Sequence, residues 1–239
     1  MASIRVPNFD PARNGFPYPN YWPSNPIRQF RLGNVATLNI GDAANGLCGG
    51  MSFACADLWA KGRTPGDDPQ PGSGTPRYEY IVDRQITSFD DGRLPFRFYS
   101  LMSPTRPERE PWWAALLGQA RVDRHSRTYV MVHEEWPVIR QLLESGQIAM
   151  IGLVRVVSRD PMALSHNHQV LAYGYDTEGT NVTLRICDPN YPRATDVTIG
   201  FDTADPNGSL TPSWSRQDDQ LQCFFHYPWV AADPTPWPG

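Results

Sequence analysis

Lysine is almost missing from this chain, and runs of basic residues are missing altogether. Of the 21 basic residues only Lys61 is a lysine, and the formal net charge is -4 at pH 7. A surface that follows a phosphate backbone needs clustered positive charge. We therefore expect no nucleic acid partner for this protein.

Long apolar runs are also missing. No window approaches 18 apolar residues, and the opening segment MASIRVPNFDPARNGF has no apolar stretch after a basic start. A membrane span or a signal peptide would need such a stretch. We expect a soluble protein that is synthesised in the cytoplasm and has no membrane partner. Export by a dedicated secretion system fits the same sequence, so a housekeeping enzyme and a bacterial effector or toxin both stay open.

Cysteine is scarce as well, since four cysteines in 239 residues are too few for a disulfide scaffold. Cys48 and Cys55 are seven residues apart on one predicted helix, which is too far for a bridge, so we expect reduced thiols. Cys55 and Cys187 fit a hydrophobic core. Hydrophobic residues make up 40% of the chain and charged residues only 19%, which is enough apolar surface for a sizeable core. The oligomeric state is left open.

The order of predicted elements divides the chain into a helical part and a sheet part, which we expect to form one domain over residues 1–239. Residues 1–44 show little periodicity and are predicted to be an extended N-terminal arm, with one short strand near Val35 to Ile40. The mainly helical part covers residues 45–146, the sheet part covers residues 147–227, and residues 228–239 form a Pro/Trp-rich tail.

Three segments carry helical signals. The first has the i, i+3, i+4, i+7, i+8 spacing of a helix that faces a core on one side, and it ends at Gly62. Its apolar residues are Met51, Ala54, Cys55, Leu58 and Trp59. The segment TPRYEYIVDRQITSF predicts a second, shorter helix. Residues 111–146 predict a third that is broken at Pro137, a first-turn position of its last part.

Strand signals dominate after Gly146. The segments with β-rich or alternating patterns are IAMIGLVRVV, HQVLAYGYD, VTLRICD, DVTIGF and QCFFHY. Helices first and strands afterwards predict an α+β fold with an antiparallel sheet.

Cys48 stands directly before the first predicted helix, in the string NGLCGGM. Free amides and the positive end of the helix dipole at such a position stabilise a thiolate over a thiol. Flanking glycines let a substrate backbone approach closely and leave amides free to bind an oxyanion. A buried, inert thiol is the commoner reason for a lone cysteine, so this signal needs support from other residues.

That support comes from two neighbouring strands. His168 opens the strand HQVLAYGYD, and Asp188 ends the next strand, before Pro189. If the two strands form a hairpin, His168 and Asp188 lie close together at the rim of the sheet. A helix-start cysteine packed on that rim completes a chain of nucleophile, base and orienting group. Asn190, in the same turn, is the alternative orienting group, and we favour Asp188.

This order of a helix-start cysteine, a helical segment, a strand-borne histidine and an Asp-Pro one strand later resembles the papain-like cysteine peptidase superfamily. It is most similar to the bacterial branch of bacteriocin-processing peptidases of ABC exporters. The segment WPVIRQLLESGQIAMIGLV also resembles the one that precedes their histidine strand. The resemblance covers about residues 40–190.

The resemblance implies a papain-like fold, in which the nucleophile-bearing helix and the helical region pack on a C-terminal antiparallel sheet. It implies a cysteine hydrolase, a peptidase or amidase, that acts on a peptide or protein substrate without a cofactor or a metal. In it Cys48 attacks, His168 takes the proton and Asp188 orients the histidine, through an acyl-enzyme.

The sequence departs from the family at one position. Papain-like enzymes usually carry a glutamine about six residues before the cysteine, which donates to the oxyanion, and that position here is Asp42. A carboxylate there opposes an oxyanion. Asn45 or Gln85 could supply the donor instead, and the sequence does not choose between them.

Four alternative hypotheses use other chemistry or none. Transglutaminase-like glutamine deamidation or acyl transfer runs in the same Cys, His, Asp order. A degenerate papain-like module would bind without catalysis, with Asp42 marking the lost donor. A zinc site could use His166 and His168 on one strand face with Cys187 and Asp188, but no paired CxxC or HExxH spacing supports it. The string His166-Asn167-His168 matches an HNH nuclease by chance, given the acidic chain.

Overall fold

A computed structural model describes residues 2–22, 28–32, 36–40, 46–108, 125–204, 213–215 and 221–237. Within these ranges the chain combines helices with an antiparallel sheet, which confirms the α+β prediction. No helix in the described ranges is long and apolar enough to cross a membrane.

The main sheet has seven strands, and every pair of neighbours is antiparallel. Its strands are β1 (Ala2–Arg5), β4 (Ala149–Val154), β5 (His168–Glu178), β6 (Asn181–Cys187), β7 (Thr198–Asp202), β8 (Ser213–Trp214) and β9 (Cys223–Tyr227). The order is β8-β7-β6-β5-β4-β9, with β1 also paired to β5. The strands predicted from residue 148 onward are all present, and β5 lies in the middle.

A separate hairpin pairs β2 (Arg28–Leu32) with β3 (Ala36–Ile40). The strand expected near residues 35–40 is therefore present, but the expected extended arm is more structured than its sequence indicates. It contributes β1 to the main sheet and a short helix, α1 (Pro11–Asn14), whose first turn is capped by Asp10.

Among the described residues, the α-helices between the hairpin and β4 are α2 (Cys48–Ala60), α3 (Pro76–Ser88), α4 (Arg93–Met102), α5 (Arg127–Tyr129) and α6 (Trp136–Glu144), and the part of the third predicted helix over residues 111–124 lies outside them. The predicted first and second helices correspond to α2 and α3. Between α5 and α6 the chain stays helical through a π-helical segment, Val130–Glu135. Pro137 lies in the first turn of α6, as the sequence predicts, but the backbone before it stays helical instead of breaking. Proline has no N–H to donate, and the wider π turn before it accommodates its ring without ending the helix.

Helix α2 is buried on nearly all sides rather than on one stripe as its sequence predicts. Every residue from Cys48 to Leu58 is buried. The sheet covers one side and α3 covers another. A Cβ on Gly50 would lie 2.1 Å from the Ile81 carbonyl oxygen, so only glycine allows α3 to approach this closely.

The C-terminal segment is fixed to α2 through Asp57, whose side chain is fully buried. Its carboxylate accepts hydrogen bonds from Trp229 Nε1 at 3.1 Å and from the amide of Ala232 at 2.9 Å. Arg84 of α3 forms an ion pair with the same carboxylate at 2.7 Å, and Tyr80 donates its hydroxyl. This network holds α2, α3 and the tail together, and so fixes the helix that starts with Cys48.

The β5–β6 ladder contains one irregularity. Ala172 lies opposite Ile186, but Gly174 lies opposite Arg185, so Tyr173 is an extra residue in β5. Such a bulge shifts the register by one residue. The Tyr173 carbonyl accepts from the amide of Val6 at 2.8 Å, which ties the bulge to the chain that leaves β1.

Candidate active site

Cys48 is the first residue of α2 and is buried, with 8% of its surface exposed. Gly46, two residues before Cys48, has a φ of +57°, the left-handed conformation that glycine adopts without strain. The amide of Leu47 donates to Asn20 Oδ1 at 2.6 Å. Cys48 is therefore held from both sides, by the helix that follows and by the bond to the N-terminal segment.

The first turn of α2 offers two free amides. The amide of Met51 donates to the Leu47 carbonyl at 2.8 Å, and the amide of Gly50 donates to Gln85 Oε1 at 2.9 Å. The amides of Cys48 and Gly49 have no partner within the described part of the chain. Free amides at a helix N-terminus stabilise negative charge, either on the thiolate or on an oxyanion beside it.

Gln85 lies close to Cys48 in the fold, but it acts as a helix cap. Its carbonyl oxygen accepts from Gly50 and its amide nitrogen donates to Ser88 Oγ at 3.4 Å. Ser88 Oγ also contacts Gln169 Oε1 at 3.1 Å. A Cβ on Gly49 would lie 1.4 Å from the same Gln169 oxygen. Only a glycine at this position leaves space for the side chain of Gln169, the residue after His168.

His168 and Asp188 lie together at the rim of the sheet, as the hairpin prediction expects. His168 opens β5, Asp188 follows the last residue of β6, and His168 Nε2 lies 2.7 Å from Asp188 Oδ1. Both side chains are buried, with 4% and 0% exposed. The Cys48 side chain also interacts electrostatically with the His168 imidazole, so the two groups lie near each other. The structure thus brings together the three residues that the sequence singles out.

Two opposing effects set the charge of this imidazole. Burial lowers the pKa of His168, but the negative charges of Asp188 and Cys48, together with the hydrogen bond to Asp188, raise the pKa of His168 to about 10. A histidine with this surrounding carries a proton at neutral pH. The arrangement is that of an imidazolium between a carboxylate and a sulfur.

The hydrogen bonds of Asn190 go to Asp188 and Asn20. Its backbone amide donates to Asp188 Oδ1 at 2.9 Å, and its side-chain oxygen accepts from Asn20 Nδ2 at 3.3 Å. Asn20 therefore joins the turn after Asp188 to the amide of Leu47, directly before Cys48. Asn20 is a positioning residue that sequence reasoning missed. No local pattern marks it, because its partners lie 27 and 170 positions away.

Tyr227 is a second residue without a sequence signal. It lies on β9 and stacks on Phe53 of α2, with ring centroids 5.9 Å apart. Its buried hydroxyl has no hydrogen-bond partner among the described residues. Burial and the charge of Cys48 raise the pKa of Tyr227 well above its ordinary value, so the hydroxyl stays protonated near the site.

Two of the predicted oxyanion-side residues, Asp42 and Asn45, lie outside the described residues. The zinc alternative places His166 and His168 on one strand face, and this placement is wrong. His166 ends a short 3-10 helix, Pro161–His166, whereas His168 opens β5. Within the described ranges no group of three or more His, Cys, Asp or Glu side chains is arranged to hold a metal ion.

Comparison of the chain with protein-family models, with curated proteins and with solved structures finds no significant match.

Proposed function

We propose that this protein is a cysteine hydrolase of papain-like fold, a peptidase or amidase that acts through an acyl-enzyme. The observation that carries the proposal is the buried chain of contacts from Cys48 to His168 to Asp188. Nucleophile, base and orienting group within hydrogen-bond reach of one another form the arrangement that acyl transfer needs. The protein would take a peptide or protein substrate.

In the proposed reaction the Cys48 thiolate attacks the carbonyl carbon of the scissile amide. The oxyanion that forms lies near the free amides of Cys48 and Gly49. His168 gives its proton to the leaving amine as the C–N bond breaks, which leaves an acyl group on Cys48. A water then attacks the acyl carbon, the proton of this water passes to His168, and the thiolate leaves with the charged pair restored.

The side chains around the site keep this geometry fixed. Asp188 holds the imidazole by one nitrogen, so the other is directed to Cys48. Asn20 and Gln85 hold the backbone on either side of Cys48. Preorganised groups of this kind need no rearrangement when charge develops, which is the main source of electrostatic catalysis.

The first test is the reactivity of Cys48 toward iodoacetamide at pH 6, compared with glutathione. Alkylation well above the glutathione rate, lost in His168→Ala and unchanged in Cys223→Ser, is expected. Cys223 is a matched control because it is buried on β9. A Cys48 that reacts no faster than glutathione would favour the binding module without catalysis.

The second test distinguishes the reactions that share this nucleophile. The protein is incubated with a peptide library, and the products are identified by mass spectrometry beside those of Cys48→Ser. New peptide termini indicate hydrolysis. A gain of about one dalton on glutamine without cleavage indicates deamidation, which would overturn the peptidase assignment but retain the acyl-enzyme.

A further inference from the structure

We propose that Cys55 and Cys187 form an oxidisable thiol pair, which a hydroperoxide converts into a disulfide beside the candidate active site. Neither thiol takes part in the proposed hydrolysis, so this inference goes beyond it. The pair would make the geometry of Asp188 dependent on the redox state of the surroundings.

The two thiols approach each other from different elements. Cys55 lies two turns after Cys48 on α2, and Cys187 is the last residue of β6, directly before Asp188. Both are free cysteines, both line the same crevice, and their side chains interact. The Cys55 sulfur also donates to the Asn14 carbonyl at 3.2 Å. The interaction with Cys187 and burial raise the pKa of Cys55, so Cys55 stays a thiol at neutral pH.

A narrow crevice gives access to the pair. It has an empty volume of about 310 Å³ and is lined by Cys55, Cys187 and Asp188, with Tyr191 and Arg193 also in its wall. Asp188 Oδ2 is buried and has no hydrogen-bond partner among the described residues, so it can accept a hydrogen bond from a peroxide hydroxyl.

The exposures of the two thiols set the order of the steps, because Cys187 is half-buried and Cys55 is buried. The Cys187 sulfur attacks one peroxide oxygen, the O–O bond breaks, and the thiol proton leaves with the other oxygen as water. Cys187 is then a sulfenic acid. The Cys55 sulfur attacks the sulfenic sulfur, the S–O bond breaks, and the hydroxyl leaves with the Cys55 proton as a second water. Two thiols have lost two electrons, and one peroxide has been reduced to two waters.

The disulfide would disturb the candidate site through Asp188. A disulfide holds its sulfurs about 2.05 Å apart, closer than two sulfurs that are not bonded. The end of β6 and α2 must therefore move toward each other, and Asp188 is the next residue in the chain. A shift of about 1 Å in a catalytic group can cost about a hundredfold in rate.

The first experiment detects the bond without using Cys48. The Cys48→Ser variant is treated with hydrogen peroxide, blocked with N-ethylmaleimide and digested with trypsin without reductant. The tryptic peptide of residues 32–61 then contains Cys55 alone, that of residues 186–193 contains Cys187, and that of residues 217–239 contains Cys223. A linked pair 32–61 with 186–193 is expected. Two maleimide-labelled peptides, or a link to residues 217–239, would overturn the proposal.

The second experiment measures the consequence at Cys48. After the same mild oxidation, Cys48 alkylation should be about a hundredfold slower in the wild-type protein than in Cys55→Ser and Cys187→Ser, because direct oxidation of Cys48 is common to all three. The two variants should form no link, and dithiothreitol should remove the difference between them and the wild-type protein. A link that forms without slowing Cys48 would overturn the regulatory part. If Cys48 is unreactive even in the reduced protein, the proposed hydrolase fails while the linked peptides still report on the thiol pair.

Discussion

Replacing Asp188 with asparagine should reverse the charge state of His168. The oxygen of Asp188 lies 2.7 Å from Nε2, and at an effective dielectric constant of about 20 two unit charges at this distance attract each other by about 6 kcal/mol. Raising the pKa of His168 from 6.5 to about 10 corresponds to about 5 kcal/mol in favour of the imidazolium. The attraction of the carboxylate thus matches the net rise in size, and Cys48 must help to offset the burial that lowers the pKa.

Without that carboxylate, Cys48 still opposes the effect of burial on the imidazole, but the larger charge effect is gone. The pKa of His168 in Asp188→Asn should then fall to 6.5 or below, and the imidazole should be neutral at pH 7. The same sheet shows what burial does to a histidine with no carboxylate on its ring, since burial lowers the pKa of His226. A neutral imidazole no longer stabilises the thiolate. A free thiol is only a few per cent ionised at pH 7, so Cys48 alkylation should slow by roughly 20- to 50-fold.

Two measurements test this reasoning. Imidazole nitrogen shifts in the NMR spectrum give the titration of His168, and iodoacetamide kinetics at pH 7 give the reactivity of Cys48. The matched control is Asp176→Asn. It removes a carboxylate from β5, the strand of His168, where Asp176 pairs with Arg5 and Arg185. A His168 that still titrates above pH 8 in Asp188→Asn, or an unchanged alkylation rate, would refute the assignment of Asp188.

Three further predictions follow from contacts around the site. Asn190→Ala should keep most of the Cys48 reactivity that Asp188→Asn loses, because the Asn190 side chain accepts from Asn20 while Asp188 lies on the imidazole nitrogen; equal losses in alkylation rate would argue for Asn190 as the orienting group. Gly50→Ala should lower the free energy of unfolding in urea by about 1–3 kcal/mol through overpacking, whereas Gly72→Ala, where an added Cβ meets nothing within 4 Å, should be nearly neutral. Asp57→Ala should cost about 3–5 kcal/mol in the same assay, because it leaves a buried arginine without its partner, and a loss near zero would contradict the anchoring network.

The sequence predicts the site well where its signals are local. A cysteine before a helical stripe, a histidine at the mouth of an alternating strand and an Asp-Pro at a strand end each depend on neighbours in the chain. Those three residues meet in the structure, and the strands around them lie where alternation places them. The chemistry of the three stays a prediction, since proximity alone does not make a reaction.

The sequence does not predict what depends on distant packing. Asn20 and the capping role of Gln85 arise only when the N-terminal segment and α3 are folded against α2. Helix α4 is missed because its start, with Gly92 before it and Pro95 in its first turn, has the composition of a loop. Tertiary burial of its apolar side decides the outcome, since a proline in the first turn does not oppose a helix. Asp42 and Asn45 lie outside the described residues, so their predicted roles are untested.

The extra residue at Tyr173 reverses the alternation of side chains between the two faces of the sheet partway along β5. Ala172 and Gly174 are two positions apart, yet they lie opposite adjacent residues of β6 and so belong to opposite faces of the sheet. If the β5 residues are counted from the β5–β6 turn with strict alternation, His168 is assigned to the wrong face of the sheet. Deleting Tyr173 would turn the imidazole to the other face of an otherwise intact sheet. A related chain could thus keep every helix and strand of this architecture and lack the site entirely. For proteins of this shape, the number of residues between the turn and the histidine is a better guide to chemistry than the fold.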